Sequence, residues 1–219
     1  HGYGSTEAFN RAFRTVHGIS AGQARRQDLE LVSQPRISFH LTVEGKTTMR
    51  YRIVEKESFW IVGKATRVPL VHLGPNESII AFERGLGPAV REAVQAASDQ
   101  EPHGSLSVTV AVDESRAEGT WLDYWHGAVS ASGPPDGLDG VAVEAGTWVV
   151  LCVSGGYPEA MQNLWRDAYG EWFPANPWQT RPGPEILKTE VGTDGQADAE
   201  LWLPVEKSGP ESATPRGTS

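Results

Sequence analysis

Eight tryptophans in 219 residues are the first chemical signal: Trp60, Trp121, Trp125, Trp148, Trp165, Trp172, Trp178 and Trp202. Indoles beyond the needs of a core line pockets for flat or cationic ligands, through stacking and cation–π attraction. Their competing use is core and rim packing. A carboxylate set among such rings carries a desolvation cost unless a cation or a donor meets it. The six histidines, at 1, 17, 40, 72, 103 and 126, show no metal-ligand spacing, so no metal site is expected. The single cysteine, Cys152, lies in an apolar run and reads as an inert core thiol. It excludes a disulfide framework and a cysteine zinc site within one chain, and a reducing cytoplasm is the default compartment. Ser154-Gly155-Gly156 ahead of a helix suits an anion cradle, a plain turn being the simpler reading. No phosphate loop, dinucleotide fingerprint or Ser/His/Asp arrangement is visible, and no cofactor is expected.

A second chemistry sits at the N-terminus. Residues 1–26 carry Arg11, Arg14, Arg25 and Arg26 against one acid, Glu7, a net +3, which leaves −12 for the rest of a chain whose total is −9. A basic end on an acidic body confines any nucleic-acid contact to that end. Ser5 or Thr6 caps a helix whose apolar face is Ala8, Phe9, Ala12, Phe13 and Val16, stopped by Gly18. Thr6, Asn10, Arg11 and Arg14 form its free face, which suits base edges and phosphates in a major groove. The plain alternative is a surface helix with solvated arginines. Beginning at His1, the chain reads as a piece whose N-terminal part is missing.

The elements that must position these groups follow from periodicity. Hydrophobic residues make up 39% of the chain, enough for a core and too many for a wholly disordered protein. No apolar run approaches bilayer length and no signal peptide is visible, so no membrane partner is expected. Residues 27–50 read as a connector with a weak strand through Ile37, Phe39, Leu41 and Val43. Residues 51–206 contain a coarse repeat of strand, helix, strand, strand. In the first copy, Tyr51–Val54 and Phe59–Thr66 are strands, with Gly63 as a bulge. Gly74-Pro75-Asn76 is then a turn that caps a helix beginning near Glu77 and broken at Gly85–Pro88. Leu106, Val108, Val110 and Val112 alternate on one strand face, and Thr120–Ala128 follows. In the second copy, Gly146–Val153 is a strand and Pro158 opens a helix with the stripe Met161, Leu164, Trp165, Ala168, Tyr169, Trp172. Gly183–Glu190 and Ala199–Val205 are its last strands. Two such units predict an α+β fold: pseudo-symmetric halves sharing one antiparallel sheet, with the helices on one face. Residues 207–219 read as a disordered tail.

Gly2-Tyr3-Gly4-Ser5, Phe9, Arg11, Phe13, Gly18 and Arg25 resemble the second helix-turn-helix of AraC/XylS-type transcription regulators. Ala21 and Ala24 depart from that pattern. The segments 121–129, 164–178, 181–186 and 199–205, with the tokens Trp165…Tyr169…Trp172-Phe173-Pro174 and Trp202-Leu203-Pro204-Val205, resemble the gyrase-inhibitor-like effector-binding domain. The order of the two resemblances is that of Rob-type fusions. It implies a ligand-responsive regulator that binds DNA through its N-terminal region, although this remnant alone is expected to bind DNA poorly. The resemblance also implies a cleft between the halves, with aromatic walls and a buried acid facing lipophilic cations. The candidates for that site are Trp60, Tyr124, Trp125, Trp148, Trp165, Tyr169, Trp172, Glu185 and Glu200. Leu187 and Thr189 stand where related domains carry a Glu-x-Tyr pair; Glu185 projects from the same strand face, two residues earlier. For Glu185 and Glu200 the alternative is solvent-exposed strand ends. Some relatives act as hydrolases that open strained cyclopropane rings, for which Glu185, Tyr124 and Trp165 are the candidates. A third reading is a module that sequesters a protein such as gyrase.

Overall fold

Alternating stretches and short apolar runs, punctuated by Gly, Pro and Asn, form ten strands among the described residues. The computed structural model describes residues 38–41, 50–113, 115–156 and 159–208. The expected N-terminal helix with Thr6, Asn10, Arg11 and Arg14, most of the connector, Pro158 and residues 209–219 lie outside the described residues. In chain order the elements are β1 (Ser38–Leu41), β2 (Arg50–Lys56), β3 (Phe59–Pro69), α1 (Glu77–Gly85), α2 (Pro88–Ala97), β4 (Leu106–Val110), β5 (Trp121–Ser130), β6 (Asp139–Val143), β7 (Gly146–Gly156) and α3 (Glu159–Asp167). A wide π-turn (Ala168–Trp172) and the short α4 (Phe173–Ala175) then lead to β8 (Trp178–Thr180), β9 (Glu185–Val191) and β10 (Gln196–Lys207).

All pairings are antiparallel, in one sheet of order β1-β2-β7-β10-β9-β4-β5-β3-β6, with β8 added along β10. Without β1 the order is palindromic. The set β2-β7-β10-β9 mirrors β6-β3-β5-β4, and the mirror falls between β9 and β4. This is the two-half α+β architecture expected, with one addition. Each half begins with an extra strand that pairs with the long strand of the other half: β2 with β7, and β6 with β3. The sequence hid β6, because Asp139–Val143 is short and follows a Gly/Pro/Asp loop.

Local chemistry explains the helices. Asn76 caps α1 by accepting from the Ser78 and Ile79 amides at 3.2 and 3.3 Å, and its own amide nitrogen donates to the Pro69 carbonyl at 2.7 Å. Pro88 occupies the first turn of α2, where its missing N–H costs nothing. The break between them falls where Gly85 to Pro88 predicted it. Helices α1 and α2 cover one half and α3 the other, on the same sheet face: Val94 of α2 packs with Val62 and Ala128, and Leu164 of α3 with Val149, Leu151 and Leu201. The opposite face carries a second core of Phe59, Ile61, Val108, Trp148, Ile186 and Trp202, which runs through both halves. Among the described residues no helix is long and apolar enough to cross a membrane.

Two expectations need correction. Gly63 is not at a bulge: the β3–β5 register is unbroken from Trp60↔Ser130 to Pro69↔Trp121, and Gly63 faces Gly127. A Cβ at Gly63 would sit 2.1 Å from the His126 carbonyl oxygen, so glycine is required by close backbone approach. Val112 does not share a face with Leu106, Val108 and Val110. Ala111 adopts φ 51°, which ends the alternation, and Val112 packs with Leu122 and Tyr124 on the helix side.

Candidate functional site

The helix-side face at the mirror between β4 and β9 gathers the polar chemistry. Glu185 begins β9 there and is only 6% exposed. Its register neighbour on β4 is Thr109, whose neighbour on β5 is Tyr124. One residue row thus crosses three strands, and the outer two Cα atoms stand about 10 Å apart. Leu187, Ser107 and His126 form the next row on the same face.

A buried carboxylate needs partners, and Glu185 has three. The Trp165 indole N–H donates to Oε2 at 2.7 Å, and the Tyr169 hydroxyl donates to Oε1 at 2.9 Å. The Arg116 guanidinium also donates to Oε1. Trp165 and Tyr169 lie four residues apart, at the end of α3 and in the π-turn, so both reach the same side of the helix. One step round that helix Met161, Leu164, Ala168 and Trp172 enter the core, which fixes its rotation. The Arg116 guanidinium carbon stands 4.5 Å from the centre of the Tyr169 ring. Burial and the Glu185 charge push the Tyr169 phenol well above its ordinary range, so it remains a donor throughout the physiological range. The result is an anion held by an indole and a phenol, with a cation lying over the phenol face.

A second acid cradle stands on the other half. Glu83, in α1, accepts from the Tyr124 hydroxyl at 2.8 Å and from His126 Nδ1 at 3.1 Å, and pairs with Arg91 at 3.2 Å. Since the Tyr124 proton goes to Glu83, the Ser107 hydroxyl, 3.0 Å away, donates to Tyr124. Nδ1 of His126 carries a proton toward the carboxylate, and the buried Nε2 has no hydrogen-bond partner. Burial works to raise the Glu83 carboxyl pKa. The hydrogen bonds from His126 and Tyr124, with the charges of His126 and Arg91, outweigh it and hold the group below the usual glutamate range.

The structure therefore brings Trp165, Tyr169 and Glu185 into direct contact, with Tyr124 one strand beyond Thr109. It does not bring the other sequence candidates there. Trp125 and Trp148 belong to the core of the opposite sheet face, and Trp172 to the core beneath α3, edge-on to Tyr51 at 5.2 Å. Trp60 packs beside α2. Glu200 lies on the opposite face, where Arg52 at 2.8 Å and the Trp202 indole at 3.0 Å bind its carboxylate. Neither Glu185 nor Glu200 is a free, solvated strand end. That opposite face also holds a cavity of about 520 Å³, bordered by Arg50, Arg52, Cys152, Lys188 and Glu200. Cys152 is half-buried at its wall, and burial pushes its thiol pKa up, so it is a poor nucleophile.

Arg116, Glu83 and His126 were missed in the sequence, though each left a trace. Arg116 is the one base among Asp113, Glu114 and Glu118, but a charged loop reads as solvated. Glu83 falls four residues after Ile79, on the apolar stripe of α1. His126 shares strand parity with Leu122, Tyr124 and Ala128.

The comparisons with known proteins agree with this architecture. A profile of the family described as "Cass2: Integron-associated effector binding protein" matches residues 52–205, which is more than two thirds of the chain. No curated protein sequence matches. Among solved structures, a Staphylococcus aureus protein assigned to bacterial transcription regulation shares 17% identity over 72% of this chain and 99% of its own, with a TM-score of 0.52. SAV2435, solved bound to tetraphenylphosphonium, shares 15% identity over 71% of this chain and 93% of its own, with a TM-score of 0.54. The C-terminal domain of EcmrR shares 18% identity over 73% of this chain and 98% of its own, with a TM-score of 0.50. These likenesses are likenesses of fold. The long family match and the mirrored sheet agree: this chain belongs to the Cass2 family of integron-associated effector binding proteins.

Proposed function

We propose that the domain captures a lipophilic organic cation at Glu185 and that occupancy regulates transcription through an AraC-type N-terminal DNA-binding region. The observation that carries this reading is the buried Glu185 carboxylate with an indole, a phenol and a guanidinium on it. Removing the cation from such a pair leaves a buried charge uncompensated, at a cost, and the guanidinium over the Tyr169 ring marks where a cation sits. The tetraphenylphosphonium bound to SAV2435, which shares the fold, supplies a probe of suitable chemistry. The N-terminal face of Thr6, Asn10, Arg11 and Arg14 supplies the DNA contact in this scheme. Ligand regulates only if its affinity differs between two states of the whole regulator.

The hydrolase alternative requires a carboxyl oxygen free to exchange a proton with water. Turnover needs a carboxyl proton tuned for transfer as well as a place for the ligand, whereas binding needs the place alone.

Tryptophan fluorescence and calorimetry with tetraphenylphosphonium test the proposal, with tetraphenylborate as an isostere of opposite charge. Saturable binding of the phosphonium, none of the borate, and at least a ten-fold loss in Glu185→Gln are expected. Equal binding of both ions would show that the carboxylate does not select the ligand. Incubation with a cyclopropane-bearing electrophile and mass spectrometry of the product separate a binder, which returns the compound unchanged, from a hydrolase, which adds water to it.

A further inference from the structure

We infer that Arg116 is a tethered counter-ion that sets the specificity of this site: its guanidinium holds Glu185 and the Tyr169 face, and an organic cation gains the site only by displacing it. The inference rests on the proposal that Glu185 is the ligand-binding acid, and deepens it by naming what the ligand must compete with.

Arg116 comes from neither packed element of the cradle. It stands in the loop between β4 and β5, and about a third of its side chain is exposed while Glu185 beneath it is sealed. The guanidinium therefore forms the solvent-side cover of the carboxylate and has a path outward. Its backbone is strained as well. Among the described residues only Ala111 (φ 51°) and Arg116 (φ 48°) are non-glycine residues at positive φ, and both lie in this loop. Arginine has no local reason to adopt that conformation, unlike glycine or asparagine. Such strain persists where surrounding contacts impose it, and it clusters at ligand clamps and switches.

The loop's main anchors do not involve the guanidinium. Asp113 Oδ1 accepts from the Ser115 amide at 2.9 Å and from its hydroxyl at 2.6 Å. The Arg116 amide donates to the Asp113 carbonyl at 3.0 Å, and the Gly119 amide to the Leu70 carbonyl at 2.9 Å. His72 Nε2 meets the Arg116 carbonyl at 2.9 Å. The side chain can swing out while these contacts hold the backbone.

Charge then dictates what replaces it. Removing the guanidinium alone strands a buried carboxylate, so the incoming group must be cationic. A short tether gives a competing group an effective concentration of roughly millimolar. Guanidinium is itself weakly hydrated and stacks on rings, so a compact, strongly hydrated ammonium does not displace it. A weakly hydrated cation that brings aromatic rings of its own to the phenol face does.

The test compares the full chain with Arg116→Gln, Arg116→Lys and Glu185→Gln, each checked for folding by circular dichroism. Two probes are titrated: tetraphenylphosphonium and methylguanidinium. Arg116→Gln is expected to bind the phosphonium at least ten-fold tighter than the unmodified chain, with Arg116→Lys tightened less. Arg116→Gln is also expected to take up methylguanidinium at millimolar concentration, which the unmodified chain excludes. Unchanged or weaker phosphonium binding in both Arg116 variants, with binding still lost in Glu185→Gln, would overturn the tethered counter-ion and leave the proposed function standing. Methylguanidinium uptake by Arg116→Gln with no phosphonium binding in any form supports the counter-ion and removes the lipophilic-cation reading. No uptake of either probe by any form overturns both.

Discussion

Two acids on the helix side of the sheet meet different partners, and those partners set their tasks. Glu185 is satisfied by one guanidinium, one indole and one phenol; Glu83 is tied into α1 by His126, Tyr124 and Arg91. The second arrangement is a brace with a measurable pH signature. Because its folded pKa lies below the unfolded value, Glu83 contributes stability that is fully present above about 4.3 and is lost as pH falls through the lower folded value. Glu83→Gln is therefore expected to destabilise the domain by about 1 kcal/mol at pH 7, allowing for solvent screening. Denaturant melts should show that gap closing in acid below pH ~4. A constant gap across pH would mean that Glu83 acts by shape alone. Glu185, Trp165 and Tyr169 were named in the sequence on a resemblance, strand parity placing Glu185 two residues ahead of the expected acid, while helical spacing alone counted Trp165 and Tyr169 in an apolar stripe. Arg116 was not, because no period places a loop side chain; only a left-handed turn and a tertiary carboxylate aim it.

At the scale of elements the sequence was legible wherever a local rule decides. The capping turn at Gly74-Pro75-Asn76, the break at Gly85–Pro88 and the alternation from Leu106 to Val110 in β4 all needed only neighbours along the chain. It failed where a partner strand decides. Gly63 resembled a bulge because glycine interrupts an apolar strand; its true reason is the His126 carbonyl across β5. Gly63→Ala is accordingly expected to cost about 2–3 kcal/mol by overpacking, read as a lower denaturant midpoint. A neutral result would show that β3 and β5 can part without loss. The π-turn at Ala168–Trp172 was also invisible, since an extra residue in a helix turn leaves the apolar stripe intact.

Across the whole molecule, the repeat announced two halves but not how they are bound together. The leading strands exchange, β2 onto β7 and β6 onto β3, and the far-face core joins Trp148, Ile186 and Trp202 to Phe59, Ile61 and Val108. Neither half owns a complete sheet. Residues 50–133 and 134–208, expressed separately, are expected to remain unfolded and to recover the native circular dichroism only when mixed. Cooperative folding of either piece alone would refute the exchange. One consequence concerns how the halves can move. Protomers of a jaw can part to announce a catch, but halves that each lend the other a rib cannot part without unzipping the fabric. Were an occupant to displace the Arg116 side chain, the news would have to leave along the rim, from that side chain to the helix turn it lies against, while the woven floor stays still.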